Sequence, residues 1–256
     1  MTDNFLHTRA LLILLLALLS SLDIAAAAEP LTVAVAANFG RPMQELSRAF
    51  TAETAIQVRS TIASTGTLYA QIRNGAPYDL FLAADEERPD LLHQQGLAQK
   101  PVVYARGQVA LFSRDQALCA AATWQDALHR LEDNKQGKIG IANPQTAPYG
   151  AAAAAALRAT GLWERAKARL VYAGNVGQAQ QYGSMGTVRA TFTARSLTLD
   201  RQSSQPNCSW PVSEASLVVQ KGCVISHSPR QDLAQTFLDF LHTEPALTIL
   251  GSYGYH

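Results

Sequence analysis

"VAVAANFG", Val33 to Gly40, is the stretch on which the fold turns. Four residues suited to a buried strand, Val33–Ala36, run into Ala37, Asn38, Phe39 and Gly40, and a helix pattern opens at Arg41-Pro42. A strand passing directly into a helix is the unit of an α/β sheet. In such sheets the turn beyond the strand is where ligands sit. This turn contains no acid, base, thiol or imidazole. Whatever binds there must be satisfied by an amide, small side chains and bare backbone.

The same alternation continues along the chain. "AIQVRSTIA" has the pattern of a strand, "STGTLYAQIRNGAP" that of a helix with Ser and Thr at its cap and Asn74-Gly75 at its stop, and "YDLFLAA" that of a short buried strand. Asp85 is placed to cap the helix of "EERPDLLHQQG", with Glu86 and Glu87 in its first turn. A second series of α/β units begins near Val109, with strands in "GQVALFS", "GKIGIANP", "RLVYAG" and "ATFTARSL" and helices in "TWQDALHRLEDN", "APYGAAAAAALRATG" and "NVGQAQQYGSMG". "SEASLVVQKGC" reads as a returning strand, followed by C-terminal helices. No Pro/Gly-rich linker separates the halves, so the chain is expected to cross between two lobes more than once: residues 29–108 with 218–256 in lobe I, and 109–217 in lobe II.

Bulk composition narrows the function. Met1–Arg9, the apolar run Ala10–Leu19 and the small residues up to Ala28 have the order of a secretory signal peptide cleaved near Ala28. The apolar run is shorter than the ~18 residues of a spanning helix, which weighs against a retained membrane anchor. With 48% hydrophobic residues, 16% charged and a net charge of +1, the chain is globular with a lightly charged surface and lacks the basic face that nucleic acid demands. Export permits disulfides. Of the three cysteines, Cys208 and Cys223 bracket a closable loop and are the expected pair, leaving Cys119 over; spacing alone leaves the connectivity open.

Four strand-to-helix turns share one chemistry: "AANFG", "IASTG", "NPQTAPYG" and "AGNVGQ". Helix N-termini carry unpaired N–H groups and a positive partial charge, which suits an anion, and small residues let it approach the backbone. No Lys or Arg lies inside these turns; Arg41 falls just beyond Gly40. The pattern points to a small anion held by neutral dipoles. Each turn alone reads more readily as an ordinary helix cap, and Tyr149 alone as a packed aromatic.

Several ordered blocks, "LTVAVAANF", "ASTGTLYAQIRNGAPYDLFLAADEE", "IGIANPQTAPYG", "YAGNVGQA" and "LAQTFLDFLHTEPALTILGSYGY", resemble the periplasmic molybdate-binding proteins of bacterial ABC transporters over nearly the whole chain after the leader. The resemblance implies a type II periplasmic binding protein: two α/β lobes of mixed, mostly parallel sheets flanked by helices, a hinge of two or three strands, and an oxyanion in the cleft. It implies a periplasmic, monomeric protein that hands molybdate or tungstate to a membrane permease, without a cofactor. Carried over by motif, the ligand contacts are Ala37, Asn38, Ser64, Thr65, Tyr149 and, through its N–H, Val176. Where many members have Ser or Thr this chain has Ala37, for which the Asn38 amide is expected to compensate; Thr65 stands for the commoner Ser. Where some members have a tyrosine the chain has Ala194, a role expected to pass to Tyr149. Arg189 is expected to face outward.

Other readings have less in the residues to carry them. The "DEERPD" cluster reads better as a capped helix start than as a metal site, and no histidine pair has ligand spacing. A hydrolase using Ser64 or Thr65 lacks a histidine or lysine base in any neighbouring turn. Iron carriers need several anionic ligands, and phosphate, which can be protonated, needs an acceptor such as Asp. Sulfate shares the tetrahedral shape and is separated from molybdate by size, which sequence does not report.

Overall fold

The computed structural model describes residues 29–133, 137–199 and 206–256; the expected leader lies outside them. Ten strands form two five-stranded sheets. In the first, β1 (Leu31–Ala36) pairs in parallel with β2 (Val58–Ala63) and β3 (Leu80–Leu82). On the far side of β3 runs β10 (Val218–Val224), antiparallel to β3 and to β4 (Val102–Gly107). The second sheet repeats the scheme. There β6 (Ile139–Ala142) pairs in parallel with β7 (Leu170–Ala173) and β8 (Ala190–Ala194), and β5 (Val109–Ser113) lies antiparallel between β8 and β9 (Cys208–Pro211). The chain crosses between sheets twice, from β4 to β5 through Gln108 and from β9 to β10. The strands β4 and β9, for which sequence patterning gives no expectation, each form one edge of their sheet, with β2 and β7 at the opposite edges.

Helices cover both faces. α1 (Gly40–Thr54) turns Met43, Leu46 and Phe50 inward, the spacing of one helical face. It packs with β1 and the C-terminal helices α10 (Gln231–Phe240) and α11 (Glu244–Ser252). α2 (Thr65–Arg73) and α3 (Glu87–Gln94) cover the opposite face, where Leu68, Ile72, Phe81 and Leu92 meet. The N-cap position of α3 is Glu86 rather than the expected Asp85; Asp85, one residue before it, accepts the Arg88 N–H at 3.1 Å and also pairs with the Arg88 guanidinium. Around the second sheet lie α4 (Gln116–Cys119), α5 (Trp124–Asp133), α6 (Pro148–Ala159), α7 (Trp163–Ala166), α8 (Val176–Ser184) and α9 (Arg195–Thr198). Their apolar cluster includes Ala36 at the end of β1 and Ala37 and Ala84 in the turns that follow β1 and β3, so the lobes share buried surface where they meet.

The disulfide differs from expectation. Cys119 at the end of α4 is bonded to Cys208, with Cα atoms 5.5 Å apart, and Cys223 is a buried free thiol. Cys208 opens β9, opposite Ser113 in the second sheet, whereas Cys223 sits in β10 opposite Phe81 in the first. Closeness in sequence does not bring Cys208 and Cys223 together because the crossing separates them. Burial pushes the Cys223 thiol up to about 12, which keeps it neutral.

Asp79 ties the base of the first sheet. Its carboxylate accepts from the Thr32 N–H at 2.6 Å, the Thr32 hydroxyl at 2.7 Å, Ser228 at 2.6 Å and Arg230 Nε at 3.2 Å. Burial raises its pKa, but these bonds together outweigh burial and hold it below the ordinary carboxylate value. With the folded pKa depressed, the stabilisation is complete above the unfolded value, near ~3.9, and is lost as pH falls through the folded one. Asp79→Asn is therefore expected to cost about 3 kcal/mol at neutral pH. It should also flatten the loss of stability below pH ~4, as followed by urea unfolding across the acid range.

Candidate functional site

All four donor turns meet at one small cavity between the sheets, of about 10 Å³. Ordinary small-molecule pockets run to ~300–1,000 Å³, so this one suits an ion rather than a metabolite. From the first lobe come Ala37 and Asn38, in a single 3-10 turn after β1, and Ser64 and Thr65 at the start of α2. From the second come Tyr149, at the start of α6, and Val176, the first residue of α8. Every sequence-expected site residue thus lines the same space. No Asp, Glu, Lys, Arg or His stands among its lining residues.

Helix starts explain which groups are on offer. Ser64 is the N-cap of α2: its Oγ accepts the Thr67 N–H at 3.3 Å and shares a 2.7 Å bond with the Thr67 hydroxyl. Asn175 caps α8 in the same way, accepting the Gln178 N–H at 2.9 Å. The caps occupy the third N–H of each helix, and helix geometry gives the first-turn N–H groups of Thr65 and Val176 no intrahelical acceptor. Pro148, the first residue of α6, has no N–H, so Tyr149 carries the first such group there.

The hydroxyls are oriented by what they accept. Thr65 is 1% exposed, and its Oγ1 accepts the Ala84 N–H at 3.0 Å. Since that N–H only donates, the hydroxyl proton is free to point elsewhere. Tyr149 is buried, and its Oη accepts from Gln220 Nε2 at 3.3 Å. Burial raises the Tyr149, Tyr104 and Tyr255 hydroxyls above the ordinary phenol value, so all three are neutral donors near pH 7.

Asn38 departs from expectation. Both N–H groups of its amide are engaged by the protein, at 2.8 Å to Gln220 Oε1 and 2.9 Å to Tyr255 Oη. Its carbonyl oxygen accepts from Ser196 at 3.1 Å and Tyr255 at 3.0 Å, and Oδ1 is buried without a partner. The amide therefore does not replace a hydroxyl missing at Ala37. Tyr255, Gln220 and Ser196 escaped the sequence reading. The available signal was Gln220 itself, a polar residue at the inward phase of a strand whose Val218, Gly222 and Val224 are buried.

The lips of the cleft are in contact. The Gly66 N–H donates to the Thr146 carbonyl at 2.9 Å, and Arg88 Nη2 donates to the Gln145 carbonyl at 3.0 Å. Arg189 lies outside the cavity lining and pairs with Asp115, its Nε at 2.5 Å. Among the described residues no group of three or more His, Cys, Asp or Glu is placed to hold a metal ion, and no helix is long and apolar enough to cross a membrane.

Residues 31–256 match the family model of the bacterial extracellular solute-binding proteins. The chain belongs to that family. It is similar to the molybdate-binding protein ModA of Azotobacter vinelandii, 33% identical over 90% of this chain and 91% of the relative. The molybdate-binding protein ModA of Rhodobacter capsulatus is 32% identical over 94% and 93%. The solved structure of the Azotobacter vinelandii periplasmic molybdate-binding protein superposes with a TM-score of 0.81 at 31% identity, covering 88% of this chain and 98% of that one.

One packing constraint in this solute-binding protein bears directly on the site. Gly107 ends β4 at the crossing between lobes, and a Cβ there would lie 2.0 Å from Tyr149 Oη. Gly107→Ala should displace the phenol and cost about 1–3 kcal/mol by overpacking. Adding Tyr149→Phe, which deletes the clashing oxygen, should recover part of the lost melting temperature in calorimetry. Equal melting of the single and double variants would show that the clash is relieved elsewhere.

Proposed function

We propose that this chain is an extracytoplasmic binding protein that captures molybdate, and tungstate with it, and delivers it to the permease of an ABC importer without covalent chemistry. The observation that carries this reading is the convergence of four neutral, donor-bearing turns on a cavity too small for a metabolite. A fully ionised tetrahedral oxyanion needs donors on all sides and no acceptor. Here Thr65 offers its hydroxyl and N–H, Tyr149 and Val176 offer N–H groups at helix starts, and Ala37 and Asn38 offer the backbone of the first turn. Ser64 takes part by capping α2 and so directing the Thr65 N–H. Hydrogen bonds to an ion are roughly twice as strong as neutral ones, and lobe closure removes the water that competes for them.

The named relatives support molybdate as the cargo, and the chain needs no cofactor in this reading. It acts as a monomer in the periplasm, with the leader removed near Ala28. Phosphate fits less well, since a protonated oxygen would meet no carboxylate in the cavity. Sulfate would be discriminated by size, its bonds to oxygen being shorter.

The test is a thermal-unfolding titration with molybdate, tungstate, sulfate and phosphate. A ligand at a hundred times its Kd adds about 2.7 kcal/mol, or roughly 5–10 °C for a chain of this length. Molybdate and tungstate should shift the midpoint and the other two should not. Stabilisation by sulfate or phosphate alone would discard the cargo, and no shift with any anion would discard the function. Within the site, Thr65→Ser should keep binding, whereas Thr65→Val should weaken it about tenfold or more by removing a bond to a charged ligand.

A further inference from the structure

Gln220 is fully buried in β10, and both ends of its amide are committed. Its Oε1 receives the Asn38 amide at 2.8 Å and lies 3.1 Å from the Tyr104 hydroxyl, which shares its proton with the Ala83 carbonyl at 2.9 Å. An amide oxygen held in this way turns its NH2 to the other side, and there Nε2 donates to Tyr149 Oη. A phenol has one proton, and an oxygen that accepts from an NH2 group must send that proton away from it. Tyr149 lines the cavity, and its oxygen is confined on the hinge side by Gly107.

We propose that Gln220 is a positioning residue that fixes the Tyr149 hydroxyl as a donor toward the cavity and so biases the site to unprotonated tetrahedral oxyanions. The inference rests on the oxyanion-binding reading above. A hydrogen phosphate brings its own O–H and needs an acceptor, and the Tyr149 lone pair is already engaged by Gln220. Thr65 is set the same way by the Ala84 N–H, but that donor is backbone, present whatever the side chain. Gln220 is the one part of the arrangement that substitution can reverse.

The test is a double-mutant cycle on molybdate binding by calorimetry, using Gln220→Leu, Tyr149→Phe and the pair, with melting of each ligand-free protein as the check on folding. A positioning role predicts that Gln220→Leu weakens binding about tenfold when Tyr149 is present. In the Tyr149→Phe background the same change should cost less than about twofold, because the two residues act through one hydroxyl. If Gln220→Leu does not fold, Gln220→Glu carries the same cycle, since a carboxylate still accepts from Asn38 and Tyr104 but gives Tyr149 no N–H. Equal losses in both backgrounds would overturn the proposal and leave Gln220 a structural residue. Failure of the unsubstituted protein to bind molybdate is a separate result, and it would remove the functional reading itself.

Discussion

The burial of Asn38 is the constraint around which the two lobes are arranged. A peptide carbonyl and a side-chain amide taken out of water cost free energy unless each finds partners, and no single element of this chain can supply them all. The partners come from β10 (Gln220), from the chain end (Tyr255) and from α9 of the other lobe (Ser196). Engaging the amide nitrogen and the backbone carbonyl of this one residue therefore requires the second crossing, the C-terminal tail and the opposite lobe to be in place together, while Oδ1 stays without a partner. His256 completes the arrangement by exchanging two backbone bonds with Arg106, which holds Tyr255 against the turn. What faces the cavity from this turn is then backbone, held still by side chains that point the other way.

This arrangement separates holding from binding. The charged groups near the cleft are paired at its rim, as Asp85 is with Arg88, while the lining is neutral. A guanidinium in the cavity would bind many anions and release them slowly. Neutral donors gain most of their strength only when a full negative charge is present and water is excluded. In the proposed reading such a site would discriminate by charge state and size, and the contacts of Gly66 with Thr146 and of Arg88 with Gln145 join its two lips.

How much of this was legible in the sequence follows from the range of each interaction. The parallel units were legible because each strand, turn and helix is local: "VAVAANFG" and "YAGNVGQA" carry their own strand, turn and helix start. The donor turns were legible for the same reason, since Ser64 and Asn175 cap helices three residues away. The Cys119–Cys208 pairing was not, because it depends on which sheet each strand joins after a crossing, and Cys208 and Cys223 part company there. The engagement of the Asn38 amide was hidden by a separation of 217 residues to Tyr255.

The repeated topology accounts for why four turns, and these four, meet at one point. β1 and β6 hold the same place in their sheets, next to an edge strand, and β2 and β7 are those edge strands. The turns that line the cavity follow these strands: Ala37–Asn38 after β1, Ser64–Thr65 after β2, Tyr149 after β6 and Val176 after β7. They form two pairs of equivalent positions, one pair from each lobe. The edge members even share their device, a polar cap accepting the third N–H of the helix. When two such sheets face each other with the carboxyl ends of their parallel strands converging, two turns from each side enclose a central point. Four groups approaching in two opposed pairs is the arrangement that a tetrahedral anion asks for, so in the proposed reading the strand order itself prepares the shape of the site before any side chain is chosen.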